Sequence, residues 1–182
     1  MTRIIIKAVP NKRIDCYDYL KNNLKDAEWV FDTDGNAMNT FLRALDTAKY
    51  DECIHMEDDV ILTNNFIYKI NEAIKKMPSN VINFFSMRKN DLIIGSRFDN
   101  KYCMNQCVYL PKNYSAMLLD YYKNWNRLIE HPTGTDYMLN DFLKSRKEKH
   151  YIYVPSLVQH RIVKSIINPK RSSKRISMSF EY

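Results

Sequence analysis

Glycine is scarce in this chain, with three residues, Gly35, Gly95 and Gly134, among 182. A Gly/Ser linker, an internal repeat and a low-complexity segment are all missing. Composition therefore gives no reason to divide the chain, and its length fits one domain with a sheet and flanking helices. Long apolar runs are missing too. Stretches such as Ile4-Ile5-Ile6 and Val60-Ile61-Leu62 fall far short of the roughly 20 residues a membrane helix needs. Met1-Thr2-Arg3 leads directly into a strand-like run, which is not the pattern of a signal peptide. The four cysteines, Cys16, Cys53, Cys103 and Cys107, form no CxxC and have no histidine at zinc-ligand spacing. They read as buried, reduced thiols.

Hydrophobic residues make up 45% of the chain, a globular composition. The net charge is +7, with a pI near 9.1. Excess positive charge points to an anionic partner, nucleic acid or phosphate. Abundant Lys, Asn and Ile weaken that inference, because an AT-rich coding sequence enriches them without functional pressure.

The patterning alternates strand and helix. Arg3 to Val9 predicts a buried opening strand stopped by Pro10-Asn11. Ile14, Tyr17, Leu20 and Leu24 recur at helical spacing. Glu28 to Phe31 predicts a second strand, closed by the turn Asp32-Thr33-Asp34-Gly35. Asn36 to Lys49 predicts a helix with Met38, Leu42 and Leu45 on one stripe. Glu52 to Met56 predicts a third strand, and Asn64 or Asn65 is placed to cap a helix through Lys76. Further strands are expected at Val81 to Met87, Leu92 to Ile94, Gln106 to Leu110 and Tyr151 to Val154. Helices are expected at Asn113 to Asn126 and Thr135 to Arg146. This order predicts an α/β fold, a mainly parallel sheet covered on both faces. Ligands in such sheets bind at the carboxyl ends of the strands.

The third strand runs into Glu57-Asp58-Asp59. Three consecutive carboxylates repel one another unless a cation sits among them. Mg²⁺ and Mn²⁺ prefer oxygen ligands and keep positions open for water and substrate phosphates. An acidic helix-entry turn in solvent is the bland alternative. The apolar bracket of Ile54, Met56, Val60, Ile61 and Leu62 argues against it. A metal-dependent nuclease would also cluster carboxylates, and a nucleic-acid-binding module would not need them.

His55-Met56-Glu57-Asp58-Asp59-Val60-Ile61-Leu62 resembles the Glu-Asp-Asp form of the DxD motif in GT-A glycosyltransferases. Pro10-Asn11, with Arg13 just beyond, is similar to that family's nucleotide-contacting first loop. Asp32, Gly35, Asn39 and Arg43-Ala44-Leu45 resemble its nucleoside-lining segment. Pro155-Ser156-Leu157-Val158-Gln159-His160 resembles the C-terminal segment whose histidine completes the metal site. Gly134-Thr135-Asp136-Tyr137-Met138-Leu139 sits where the family carries an acceptor-side acidic residue. The resemblance implies a Rossmann-like GT-A sheet and a nucleotide-diphosphate sugar donor, a UDP-sugar first. It implies Mn²⁺ or Mg²⁺ held by Asp59 and His160, with the imidazole favouring Mn²⁺. Asp58 would contact the ribose or a metal-bound water, and Glu57 would shape the site. Asp136 would be the general base of an inverting transfer, with Asp141 its rival. The implied division is a nucleotide-sugar half (1–110), an acceptor half (111–160) and a basic tail or lid (161–182). The short stretch before Asp136 departs from the family and implies an acceptor subsite that is shallow or formed by a partner. Gly95 is the expected occupant of the family's glycine-rich loop.

Arg161, Lys164, Lys170, Arg171, Lys174 and Arg175 form the basic tail. It reads as a solvated end, a lid bringing Lys164, Lys170 or Arg171 onto the diphosphate, or an arm for nucleic acid. Ser172, Ser173, Ser177 and Ser179 would suit a flexible lid. Size and charge favour DNA as acceptor, by analogy with phage enzymes that glucosylate hydroxymethylated bases. A cell-surface saccharide or its lipid-linked precursor, met at a membrane surface, is the rival. Either acceptor implies a cytoplasmic protein of a bacterium or a phage-infected host.

Overall fold

The computed structural model describes residues 2–127, 129–131, 134–163, 166 and 175–182. The opening strand, β1 (Arg3–Ala8), is built on a β-branched run and is buried from Ile4 onward. It lies between β2 (Glu28–Phe31) and β3 (Cys53–Glu57), parallel to both. Beyond β3 follow β7 (Cys107–Leu110), β5 (Ile82–Asn83), β8 (His150–Ile152) and β6 (Arg97–Asp99). The seven-stranded order is β2-β1-β3-β7-β5-β8-β6. β7 and β6 run antiparallel to their neighbours, and the rest of the sheet is parallel. The α/β sheet, mainly parallel and flanked by helices, is therefore as the alternation predicted.

Each sheet face is covered because each helix carries its own apolar stripe. On one face, α2 (Ala37–Ala48) buries Met38, Phe41, Leu45 and Ala48 at turn spacing. They pack on Ile5, Cys53 and Val108 with Leu118 of α5 (Tyr114–Tyr122) and Leu139 of α6 (Thr135–Ser145). On the other, Leu20 of α1 (Ile14–Asn23) joins Phe66, Ile70 and Ile74 of α3 (Phe66–Lys76) over Ile4, Ile6 and Ile54. Each fully buried side chain of this size contributes about 1.5–3 kcal/mol.

Three expectations are corrected. Leu92 to Ile94 is not a strand but part of a one-turn helix, α4 (Asp91–Ile94), with all three side chains exposed. Buried Asp91 pairs with Arg97 at 2.8 Å, and Gly95 at φ 74° ends the turn. Val81 to Ser86 is buried, but ladder pairing is confined to Ile82–Asn83. Asn65 precedes α3 in the left-handed region and its side chain caps nothing, whereas Asn36 does cap α2, accepting from Met38 and Asn39 N–H. A second, two-stranded sheet escaped the sequence reading. It pairs β4 (Val60–Leu62) with β9 (Val158–His160), antiparallel.

Candidate active site

The carboxyl ends of β1 and β3 lie side by side, with Lys7 opposite Glu57 in the ladder. Lys7 is buried, yet its ammonium reaches Glu57 Oε1 at 2.8 Å and lies 4.8 Å above the Phe41 ring. The chain leaving β1 turns so that Val9 N–H donates to Asp58 Oδ2 at 2.8 Å. Arg13, from the same turn, spans Asp58 (3.0 Å) and Asp59 (2.6 Å). Buried carboxylates need such partners. Burial pushes the Asp58 carboxyl up to about 6, against the Val9 N–H and with the help of the neighbouring Asp59 charge.

The β4–β9 ribbon delivers the remaining group. Its register sets Val60 opposite His160, and Arg161 N–H donates to the Asp59 carbonyl at 2.8 Å. The buried His160 ring thereby lies with Nε2 3.3 Å from Asp59 Oδ2. Arg175 places a guanidinium nitrogen 2.8 Å from the same Nε2. A guanidinium only donates, so that nitrogen accepts and presents a lone pair. Burial alone would raise the Asp59 carboxyl. The charges of Arg13 and Arg175 oppose it, and the carboxyl is held below its ordinary value.

Two lone-pair donors thus converge on positions held by guanidinium cations. Asp59 Oδ1 and His160 Nδ1 are buried and have no hydrogen-bond partner among the described residues. One ion with bonds of roughly 2.0–2.2 Å can be shared by Asp59 Oδ2 and His160 Nε2, 3.3 Å apart, where it would displace the guanidiniums. No group of three or more His, Cys, Asp and Glu is assembled for a metal among the described residues. Two protein donors leave the other positions to water and phosphate, as Mg²⁺ or Mn²⁺ accepts. The residues fit such an ion.

These groups open on a cavity of about 330 Å³. Its lining includes Asp32, Ala37 and Thr40, the group Arg13, Asp58, Asp59 and Arg175, and Glu130, His131 and Gly134 to Tyr137. Of the expected residues, Arg13, Asp32, Asp58, Asp59 and Asp136 line it, and His160 stands behind Asp59. Pro10 and Asn11 do not line it, and neither do Asn39 and Arg43. Asn39 donates to Asp34, and Arg43 donates to the Phe31 carbonyl and the Thr40 hydroxyl. Asp32 accepts from Gly35 N–H, so it also shapes the turn. Asp141 accepts from Trp125 and Arg127 away from the cavity, and Gly95 serves only to end α4. Lys164, Lys170 and Arg171 lie outside the described residues.

Lys7, Thr40 and Asn105 line the cavity without having been singled out, and Arg175, named only as part of the basic tail, joins them. Lys7 carried a signal, a lone cation inside the run Ile4-Ile5-Ile6-Lys7-Ala8. Ser177 and Ser179 do not form a loose lid. They are buried in a hydroxyl cluster with Ser156, where Ser177 Oγ donates to Ser156 Oγ at 2.8 Å.

No family model matches the chain, and no curated protein matches it. Among solved structures it is similar to one described as a glucose-1-phosphate thymidylyltransferase from Bacillus anthracis in complex with a sucrose. That match has 12% identity and a TM-score of 0.49, and covers 87% of this chain and 70% of the other.

Proposed function

We propose that the chain is a metal-dependent glycosyltransferase of GT-A type, moving a sugar from a nucleotide-diphosphate sugar to an acceptor hydroxyl. The observation that carries the reading is the Asp59–His160 pair, set 3.3 Å apart at the carboxyl edge of the sheet beside a cavity of about 330 Å³. The nucleoside takes the part lined by Asp32 and Thr40, where β1 and β2 finish. The diphosphate lies against Arg13 and Arg175. Asp59 and His160 would hold Mn²⁺ or Mg²⁺, which supplies positive charge against the leaving nucleoside diphosphate.

Asp136, which lines the same cavity, accepts the acceptor hydroxyl's proton as that oxygen attacks the anomeric carbon. The bond from the anomeric carbon to the diphosphate oxygen breaks, and its electron pair leaves with the nucleoside diphosphate. Arg13 and Arg175 are the guanidiniums that line the cavity beside Asp59 and can take up the departing charge.

A two-metal nuclease is less well supported. It would need Glu57, Asp58 and Asp59 together, but Glu57 is paired with Lys7, and Asp58 with Val9 N–H and Arg13. A DNA acceptor gains no support from the cavity, whose walls carry six carboxylates (Asp32, Glu57, Asp58, Asp59, Glu130, Asp136) against Lys7, Arg13 and Arg175. The direct test is melting temperature with UDP or GDP, with and without Mn²⁺. Metal-dependent stabilisation by one of them is expected. No response to any nucleoside diphosphate would end the transferase reading.

A further inference from the structure

Part of the cavity lining is an aromatic step. His131 and Tyr137 stack with ring centroids 4.0 Å apart and planes 3° from parallel. Gly134 lies between them in sequence, and a Cβ there would come within 2.8 Å of His131 Cβ and 3.0 Å of the Tyr137 ring. Only glycine lets the two rings close on each other. Arg127 fixes the far side of the step, with a guanidinium nitrogen 2.8 Å from His131 Nε2 and two contacts to Asp141. Tyr137 nevertheless keeps 44% of its surface exposed, and both rings line the cavity. Glu130 and Asp136 flank the step and line the same cavity.

An exposed aromatic face attracts the flat, apolar C–H face of a six-membered sugar ring, and carboxylates beside it accept hydrogen bonds from sugar hydroxyls. The same carboxylates repel a phosphodiester backbone. We infer that the step of His131, Gly134 and Tyr137 seats the acceptor, and that the acceptor is a neutral pyranose-bearing saccharide rather than a nucleic acid. This rests on the transferase reading above and names its substrate class.

The test is saturation-transfer NMR on the whole chain without donor or metal. The probes are the methyl glycosides of glucose, galactose and N-acetylglucosamine, and a single-stranded oligonucleotide containing hydroxymethylcytosine. At least one glycoside is expected to receive saturation at its ring protons. Tyr137→Ala should cut the signal about five-fold, and Tyr137→Phe should keep it. Gly134→Ala should weaken it by parting the rings. Nucleotide stabilisation with Mn²⁺, measured separately, should survive Tyr137→Ala. Four outcomes overturn the inference: no glycoside binds, glycoside binding ignores Tyr137→Ala, the oligonucleotide competes for the site, or Tyr137→Ala removes the nucleotide response instead. Loss of the nucleotide response in the unmodified chain, with glycoside binding intact, sinks the donor reading and leaves the saccharide platform standing.

Discussion

His160 Nε2 stands 3.3 Å from Asp59 Oδ2, and each atom is also held by an arginine, Arg175 for the first and Arg13 for the second. Acceptor atoms facing each other across that distance repel without positive charge between or beside them. The two guanidiniums supply it here, and a divalent ion would compete with them for the same lone pairs.

Asp59→Ala removes the carboxylate of that pair. The variant should lose Mn²⁺-dependent stabilisation by UDP or GDP, and transfer should fall about 10²-fold or more. Melting curves with and without metal, together with mass spectrometry of products, check both. Full activity in this variant would place the site elsewhere.

Arg13→Ala leaves Asp58 and Asp59, both buried, facing each other with one cation fewer. Breaking a buried pair from one side costs about 3–5 kcal/mol. Urea denaturation should show that loss without metal, and millimolar Mn²⁺ should recover part of it. A variant as stable as the parent, or one indifferent to Mn²⁺, contradicts the shared-site account.

Acid should destabilise the fold through its buried histidines. Burial holds His55 down to about 3, with Lys7 adding to the effect. It holds His150 down to about 4, with Asp99 opposing. In the unfolded chain both titrate near 6.5. The folded values are depressed, so the unfolded state binds more protons below that pH. Stability from these two groups is complete above pH 6.5 and drains as the pH falls toward 3. Asp58, raised to about 6, works in the opposite sense, since its contribution is lost as the pH rises through that value. His55→Leu isolates one term and should flatten the fall of the urea midpoint between pH 6.5 and 4. An unchanged slope would show that His55 titrates in the native state.

Ser156 Oγ accepts from Ser86 N–H at 3.1 Å and from Ser177 Oγ, tying the C-terminal segment to the sheet. Ser156→Ala leaves the buried Ser86 donor unsatisfied, at about 1–3 kcal/mol. Amide exchange at Ser177 and Ser179 should quicken, and Arg175 should loosen with them. Unchanged protection there would mean the hydroxyl cluster does not hold the tail.

The sheet and helices were legible because their signals are local. The run from Ile4 to Ile6 marks β1, and the spacing of Met38, Leu42 and Leu45 marks α2, although the fully buried stripe runs through Phe41 rather than Leu42. The carboxylate cluster could be read as a site because charges bracketed by Met56 and Val60 must emerge from the core. The partners that neutralise it are less visible. Lys7 is a single cation in an otherwise apolar strand, a faint signal, and Arg175 ends a basic tail that read as a solvated end, a lid or an arm for nucleic acid. The β4–β9 ribbon is three residues a side, too short for alternation to announce it. Leu92 to Ile94 misled for a related reason. An apolar run of three does not distinguish strand from turn, and the outcome was decided by the Asp91–Arg97 pair and Gly95.

The antiparallel ribbon also sets an order of assembly. Asp59 emerges from a ribosome early and can fold with β1 and β3, but its imidazole partner arrives only when β9 has been made and has paired. Until then the nascent sheet carries a half-built, strongly acidic edge whose nearest cation is Arg13. On the transferase reading, a protein halted before Val158 would lack the imidazole and could neither complete the metal site nor transfer a sugar.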